Sequence, residues 1–178
     1  MQRILVRHAS PLIASGTCYG ALDISADQQA TDMAAHALAQ HLPPNFSAWV
    51  SPRLRCRQLA DALKGLRADG VFTIDARLAE MDFGIWEGVA WADIPRAAVD
   101  AWTADFANHQ FGGKESVNAV LNRVGAAWDA SPGATLWITH AGVVRAASLI
   151  ATGQRRIERA DQWPVTAPAY GGWVTLSV

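Results

Sequence analysis

The sequence predicts an α/β fold, a three-layer α/β/α sandwich around a mostly parallel central sheet. Short apolar runs alternate with helix-like segments along the whole chain, which is the pattern of repeated strand–helix units. The late run Leu136-Trp137-Ile138 has no polar alternation, as expected for a strand that is covered on both faces. We expect one domain over residues 1–178, because 178 residues with 51% hydrophobic content can bury a single core.

The elements of the first half follow from local patterns. The apolar run over residues 4–6 predicts the first strand. Apolar residues at helical spacing then predict a helix over 25–41, with Ser25 as its cap. A second strand is predicted over 48–51, and Pro52 is of the type that opens a helix.

The second half repeats this alternation, with more aromatic residues. The predicted elements are a strand over 71–74, a loop over 75–92, helical segments over 94–106 and 117–128, a strand over 135–138, a helix over 142–153 and a last strand over 172–178.

Composition and sequence patterns indicate which classes of partner and which cellular compartment to expect. The formal net charge is −1, so the chain lacks the basic field that binds nucleic acid. No apolar stretch approaches the length of a signal peptide core or a membrane span. Cys18 and Cys56 show neither a metal-binding nor a disulfide pattern. We therefore expect a cytoplasmic protein that acts on a small molecule, without cofactor, metal, nucleic acid or membrane; the oligomeric state, a homodimer included, stays open.

Two histidines occupy matching turns at the ends of two predicted strands. His8 follows the first strand in LVRHAS, and His140 follows the late strand in WITHAG. Because the carboxyl ends of parallel strands share one edge of a sheet, both imidazoles should meet there. Arg7 lies beside the first, and Arg53 and Arg55 begin the helix after the second strand. Forked guanidinium groups and helix N-termini bind oxyanions, so these residues predict a phosphate site.

These motifs resemble those of the histidine phosphatase superfamily, which includes the cofactor-dependent phosphoglycerate mutases. In chain order they are LVRHAS, SPRLRCRQLA, LAEMDFGIWEG, GGKESV and WITHAGVVRA. The resemblance implies a phosphoglycerate mutase-like fold and a phosphoric monoester hydrolase of the histidine acid phosphatase type. It implies that His8 is the nucleophile that becomes phosphorylated and that Glu80 donates the proton to the leaving group. The implied phosphate pocket consists of Arg7, Arg55, His140 and the helix start at Ala141.

Elementary chemistry agrees with these roles. A neutral imidazole can attack phosphorus in line while fixed cations neutralise the equatorial oxygens, and that reaction requires no metal. Glu80 lies in an aromatic segment that would keep a proton available for the departing alkoxide, with Asp82 as a rival for this acid role. A metal hydrolase that uses His8, His140 and Asp82 would lack the ligand spacing of known metal motifs.

The choice of substrate rests on a narrower resemblance. The loop over residues 16–23 and the segment 80–84 look like those of the α-ribazole phosphatases of cobalamin biosynthesis. This likeness predicts α-ribazole 5′-phosphate as the substrate, in contact with Cys18, Tyr19, Gly20 and Asp82. An aromatic base could stack on Tyr19, Trp86, Trp91 or Trp102.

Other functions stay open from the sequence. A broad-specificity phosphatase or a phosphoglycerate mutase-like enzyme would use the same residues. A phosphoester-binding module without turnover would usually lack one of the histidines or arginines, and here all are present. Whether residues 94–111 close over the substrate is a further open point.

Overall fold

The computed structural model describes residues 2–131, 133 and 136–177, and these form an α/β fold around a five-stranded sheet. The strands are β1 (Gln2–Arg7), β2 (Ser47–Val50), β3 (Val71–Ile74), β4 (Leu136–Thr139) and β5 (Trp173–Ser177). Their order across the sheet is β3-β2-β4-β1-β5. All neighbouring strands pair in parallel except β5, which is antiparallel to β1. The predicted mostly parallel sheet is confirmed.

Helices cover both faces of this sheet. They are α1 (Gln28–His41), α2 (Leu54–Leu66), α3 (Arg96–Ala104), α4 (Val117–Ala130) and α5 (Ala141–Ala151). Successive residues of a strand point to opposite faces, so Ile4 and Val6 pack with α1 and α2 while Leu5 packs with α4 and α5. The sheet is thus buried between two helical layers, which confirms the predicted three-layer architecture. No helix among the described residues is long and apolar enough to cross a membrane.

Element boundaries differ from the predictions at several helix starts. Asp27 caps α1 in place of Ser25, because its carboxylate accepts a hydrogen bond from the Ala30 N–H at 2.8 Å. Helix α2 begins at Leu54, two residues after Pro52. The predicted loop over 75–92 contains three short helical turns, and the predicted strand ends at residues 135 and 178 lie outside the described residues.

The carboxyl ends of the three central strands meet at one edge of the sheet. The parallel ladder continues past their ends, since the His8 N–H bonds the Thr139 carbonyl and the Ser51 N–H bonds the Ile138 carbonyl, both at 3.0 Å. His8, Ser51 and His140 are therefore held side by side by backbone pairing.

Candidate active site

His8 is buried and held in a single orientation. Its Nδ1 lies 2.7 Å from the Ala9 carbonyl oxygen, which can only accept, so Nδ1 carries the proton and Nε2 is the unprotonated nitrogen with the lone pair. Burial, with the charge of Arg55 and then that of Arg7, lowers the pKa of His8 to about 3. The imidazole is therefore neutral, and its Nε2 is a nucleophile at ordinary pH.

Arg55 lies at the nucleophilic nitrogen. Its fully buried side chain donates from Nε to His8 Nε2 at 3.3 Å. The two Nη atoms donate to the carbonyls of Leu22 and Gly20 at 2.8 and 2.7 Å, so the loop after β1 fixes the guanidinium plane. This geometry holds a permanent cation against the atom that would attack phosphorus.

Arg7 supplies a second cation from the end of β1. Its Nη1 donates to the Pro168 carbonyl at 3.1 Å, and its Cζ lies 3.8 Å from the centroid of the Tyr170 ring. The Tyr170 ring also lies 5.6 Å from the His8 ring. The segment before β5 thus positions Arg7, which sequence reasoning did not foresee.

His140 stands beside the nucleophile, with 5.1 Å between the two ring centroids. Burial is the main reason that the pKa of His140 is lowered well below its usual value. Its Nε2 lies 2.8 Å from Ser51 Oγ. Ser51 Oγ accepts the Arg53 N–H at 3.4 Å and can donate its own hydroxyl hydrogen to His140 Nε2; in that arrangement the imidazole proton is on Nδ1. That buried Nδ1 has no hydrogen-bond partner in the described part of the chain.

Glu80 reaches the same site from the loop after β3. Its Oε2 accepts the Gly142 N–H at 3.0 Å, and its Oε1 accepts the Met81 N–H at 3.1 Å. A Cβ on residue 142 would lie 2.3 Å from Oε1, so only glycine allows the carboxylate to sit against the first turn of α5.

Three of these five side chains line one cavity of about 280 Å³, while Arg55 and His140 lie behind its wall, in contact with or beside His8. His8, Arg7 and Glu80 contribute to its wall, together with Ala141 at the N-terminus of α5. The positive end of the helix dipole faces an anion placed there. The remaining lining residues are Thr17, Tyr19, Phe83, Trp91, Arg145 and Tyr170. The cavity therefore combines a nucleophile, two cations and a carboxylate, which is a suitable set for phosphoryl transfer.

A comparison of the sequence with protein families points to the same chemistry as the geometry of the site. A model of the histidine phosphatase superfamily (branch 1) matches residues 3–175. The chain belongs to the histidine phosphatase superfamily. The predicted family is confirmed, and membership of this superfamily supports a phosphoric monoester hydrolase, as predicted.

Solved structures show how widely the histidine phosphatase fold of this chain is shared. A mycobacterial glucosyl-3-phosphoglycerate phosphatase in complex with VO3 superposes with a TM-score of 0.81 at 22% identity, over 99% of this chain and 90% of that one. The protein TTHB049 of Thermus thermophilus superposes with a TM-score of 0.74 at 26% identity, over 98% and 92%. No curated protein was found to match the sequence significantly.

Three predicted substrate contacts lie away from the cavity. Cys18 is buried against Ile94 and Phe111, and burial raises the pKa of its thiol to about 12. Its chain neighbours Thr17 and Tyr19 line the cavity instead, because successive side chains of an extended segment point to opposite sides.

The other two predicted substrate contacts that lie away from the cavity are Gly20 and Asp82. Gly20 is buried and contributes its carbonyl to Arg55; a Cβ there would lie 1.8 Å from the Met81 carbonyl oxygen. The Asp82 carboxylate accepts the Gly84 N–H at 2.8 Å and lines a separate, charged cavity with Arg53. Glu80, the other candidate for the acid role, does line the catalytic cavity.

Glu87 is a structural organiser of the site that sequence reasoning did not single out. Its carboxylate accepts four backbone N–H groups at 2.8 to 3.0 Å, from Gly20, Ala21, Leu22 and Phe83. It therefore fixes the same loop whose carbonyls hold Arg55. Its place in the WEG motif was visible in the sequence, but three of these four partners lie 65 or more residues away.

A metal site is not formed by these residues. Among the residues described, no three His, Cys, Asp or Glu side chains are grouped closely enough to hold a metal ion. His8, His140 and Asp82 are accordingly not brought together as ligands.

Proposed function

We propose that this protein is a metal-independent phosphomonoesterase that works through a phosphohistidine intermediate at His8. The observation that carries the proposal is the neutral His8 imidazole, with Nδ1–H bound to Ala9 and Nε2 beside Arg55. A nitrogen nucleophile with a depressed pKa and adjacent fixed cations suits attack on a phosphate monoester.

In the first half-reaction, His8 Nε2 attacks phosphorus in line and forms the N–P bond. The P–O bond to the leaving group breaks, and its electron pair stays on the departing oxygen. Glu80, protonated at this stage, gives that oxygen its proton. Arg7, Arg55 and the Nδ1–H of His140 take the negative charge of the equatorial oxygens, which satisfies the otherwise unpartnered His140 donor.

In the second half-reaction, water attacks the phosphorus of phosphohistidine from the side vacated by the leaving group. Glu80, now ionised, accepts a proton from that water as the new P–O bond forms. The N–P bond breaks and its electrons return to Nε2, which releases inorganic phosphate and restores the neutral His8.

We propose α-ribazole 5′-phosphate, in cobalamin biosynthesis, as the substrate. What supports this is the likeness of the segments 16–23 and 80–84 to the α-ribazole phosphatases, together with Tyr19 on the cavity wall. A broad-specificity phosphatase or a mutase-like enzyme would share the catalytic residues. The ratio of kcat/KM values on α-ribazole 5′-phosphate, 3-phosphoglycerate and sugar phosphates separates these possibilities.

The partner that fits this proposal is a small-molecule phosphate ester, without nucleic acid or membrane. We also propose a cytoplasmic location, which the two free cysteines, Cys18 and Cys56, support. A homodimer is compatible with the proposal, and light scattering on the purified protein would decide it.

The experiment that tests the proposed function is phosphate release from a chromogenic phosphate ester. We expect turnover by the wild type that persists in EDTA, and a loss of roughly 10³-fold or more in the His8→Ala variant. Full activity of the variant would overturn the proposal, and so would activity that EDTA abolishes and added metal restores.

A further inference from the structure

A second cavity, of about 140 Å³, adjoins the catalytic cavity. Most of its wall is apolar, and four of its seven apolar side chains are aromatic. The aromatic ones are Phe83, Trp102, Phe106 and Trp163. Glu80, the proposed proton donor, and Trp102, one of the possible stacking residues, both line it.

The two cavities meet at the proposed proton donor. Glu80, Phe83 and Arg145 line both of them. If phosphorus is at His8 and the ester oxygen is at Glu80, the next atoms of the leaving group lie at this junction. The leaving group is therefore the part of a substrate that can enter the second cavity.

The size and chemistry of the cavity suit one aromatic ring. An apolar cavity of roughly 150 Å³ is large enough to bind benzene. Aromatic walls attract a further ring in stacked or edge-to-face geometry. Two buried N–H groups on its lining side chains, Trp102 Nε1 and Arg145 Nε, have no partner among the described residues, so the wall also offers two donors to an acceptor atom of a ligand or to water.

The walls are held in place before any ligand arrives. The Trp102 ring stacks on Phe106 at 5.2 Å and meets Phe83 edge-on at 6.3 Å. Phe106 also contacts Trp163, with ring centroids 6.5 Å apart. A preorganised aromatic wall loses little conformational entropy when a ring binds.

We infer that this enzyme selects phosphate monoesters whose leaving group carries an aromatic ring, and that the ring occupies the 140 Å³ cavity. The inference rests on the proposed phosphatase function. The inference defines the substrate class by the leaving group, whereas the phosphate pocket recognises only the phosphate.

The first test compares three esters on the wild-type enzyme: benzyl, cyclohexylmethyl and ethyl phosphate. All three release alkoxides without ring conjugation, so differences report the fit of the leaving group. We expect kcat/KM for benzyl phosphate to exceed that for ethyl phosphate by about tenfold or more, and that for cyclohexylmethyl phosphate by about threefold, as expected for aromatic contacts. Equal values for benzyl and ethyl phosphate would overturn the inference.

The second test locates the ring by a matched pair of variants on α4. Val120→Leu adds a methylene to a buried valine that lines the cavity, whereas Val124→Leu does the same to a buried valine that does not. We expect the benzyl-to-ethyl ratio of kcat/KM to fall about threefold or more in Val120→Leu and to stay unchanged in Val124→Leu. Melting temperatures of both proteins check that each is folded. Equal ratios in the two folded variants would contradict the proposed position of the ring.

The outcomes separate the inference from the function on which it rests. If all three esters are hydrolysed at similar rates through His8, the phosphatase function stands and the aromatic specificity fails. If none is hydrolysed and no chromogenic ester is either, the proposed function itself fails. If Val120→Leu does not fold, Trp163→Ala, which removes an aromatic wall, is expected to reduce the same ratio about threefold or more, and an unchanged ratio would refute the inference.

Discussion

Glu87 is expected to control catalysis although it does not line the catalytic cavity. In Glu87→Gln the side chain keeps one acceptor oxygen, and an NH2 group replaces the other. Each carboxylate oxygen now accepts two backbone N–H groups, so two of the four would face a donor. A buried donor without an acceptor costs about 1–3 kcal/mol, and partial exposure places the loss in the free energy of unfolding at about 2–4 kcal/mol.

The hydrogen bonds lost in Glu87→Gln should lower the catalytic rate by displacing Arg55. The loosened loop carries the Gly20 and Leu22 carbonyls that fix its guanidinium against His8. Because a displacement of about 1 Å can cost roughly 10²-fold in rate, we expect kcat to fall about 10- to 100-fold, with a smaller change in KM. Steady-state kinetics on a chromogenic ester and urea denaturation measure the two effects.

Asp69→Asn is the matched control for Glu87→Gln. Like Glu87, Asp69 accepts a backbone N–H, from Asn45 at 2.8 Å; it pairs in addition with Arg67 and lies outside the catalytic site. We expect this variant to lose stability and to keep wild-type kcat. A folded Glu87→Gln enzyme with wild-type kcat would refute the link from Glu87 through the loop to Arg55.

Three further predictions concern the groups around the nucleophile. Tyr170→Ala removes the ring that stacks on Arg7, so kcat/KM should fall about 2- to 30-fold, whereas Tyr170→Phe keeps the ring and should stay within about twofold of wild type in the same kinetic assay. Ser51→Ala removes the hydroxyl that sets the His140 tautomer and should lower kcat about tenfold; ¹⁵N NMR of the imidazole should then show mixed tautomers in place of one. Because the folded pKa of His8 is about 3 and its unfolded value is 6.5, the unfolded state binds the extra proton between these values. The free energy of unfolding should therefore fall by about 1.4 kcal/mol per pH unit from pH 6.5 down to about 3 on account of His8, a slope that urea titrations should find reduced by that amount in His8→Gln.

The sequence was sufficient to predict those members of the catalytic cluster whose positions are set by the geometry of the parallel sheet. An apolar strand followed by a polar turn places its first polar residues at the carboxyl edge of a parallel sheet, so His8 and His140 had to meet. Arg55 follows from the same rule applied to β2 and α2. In the first turn of its helix, its side chain points back toward that edge.

The surroundings of the cluster were less predictable, because they depend on contacts between distant segments. Arg7 stacks on Tyr170, far along the sequence, and no local pattern marks that tyrosine. In the loop after β1, the sequence did not reveal which alternate residues face inward, so Cys18 was expected at the cavity that Tyr19 lines. The predicted cap of α1 was wrong for a different reason. Ser25 and Asp27 are both good cap residues, and only the position of the first helical turn decides between them.

The most direct test of the proposed mechanism is to identify the atom that carries the phosphoryl group during turnover. The wild-type enzyme would be mixed with a chromogenic phosphate ester and quenched in alkali, and the phosphorylated residue would be identified by peptide mass spectrometry and ³¹P NMR. Because Nδ1 of His8 is bound to the Ala9 carbonyl, we expect phosphate on Nε2 of His8. Phosphate on another residue, on Nδ1 of His8, or release of phosphate without any covalent intermediate would contradict this mechanism.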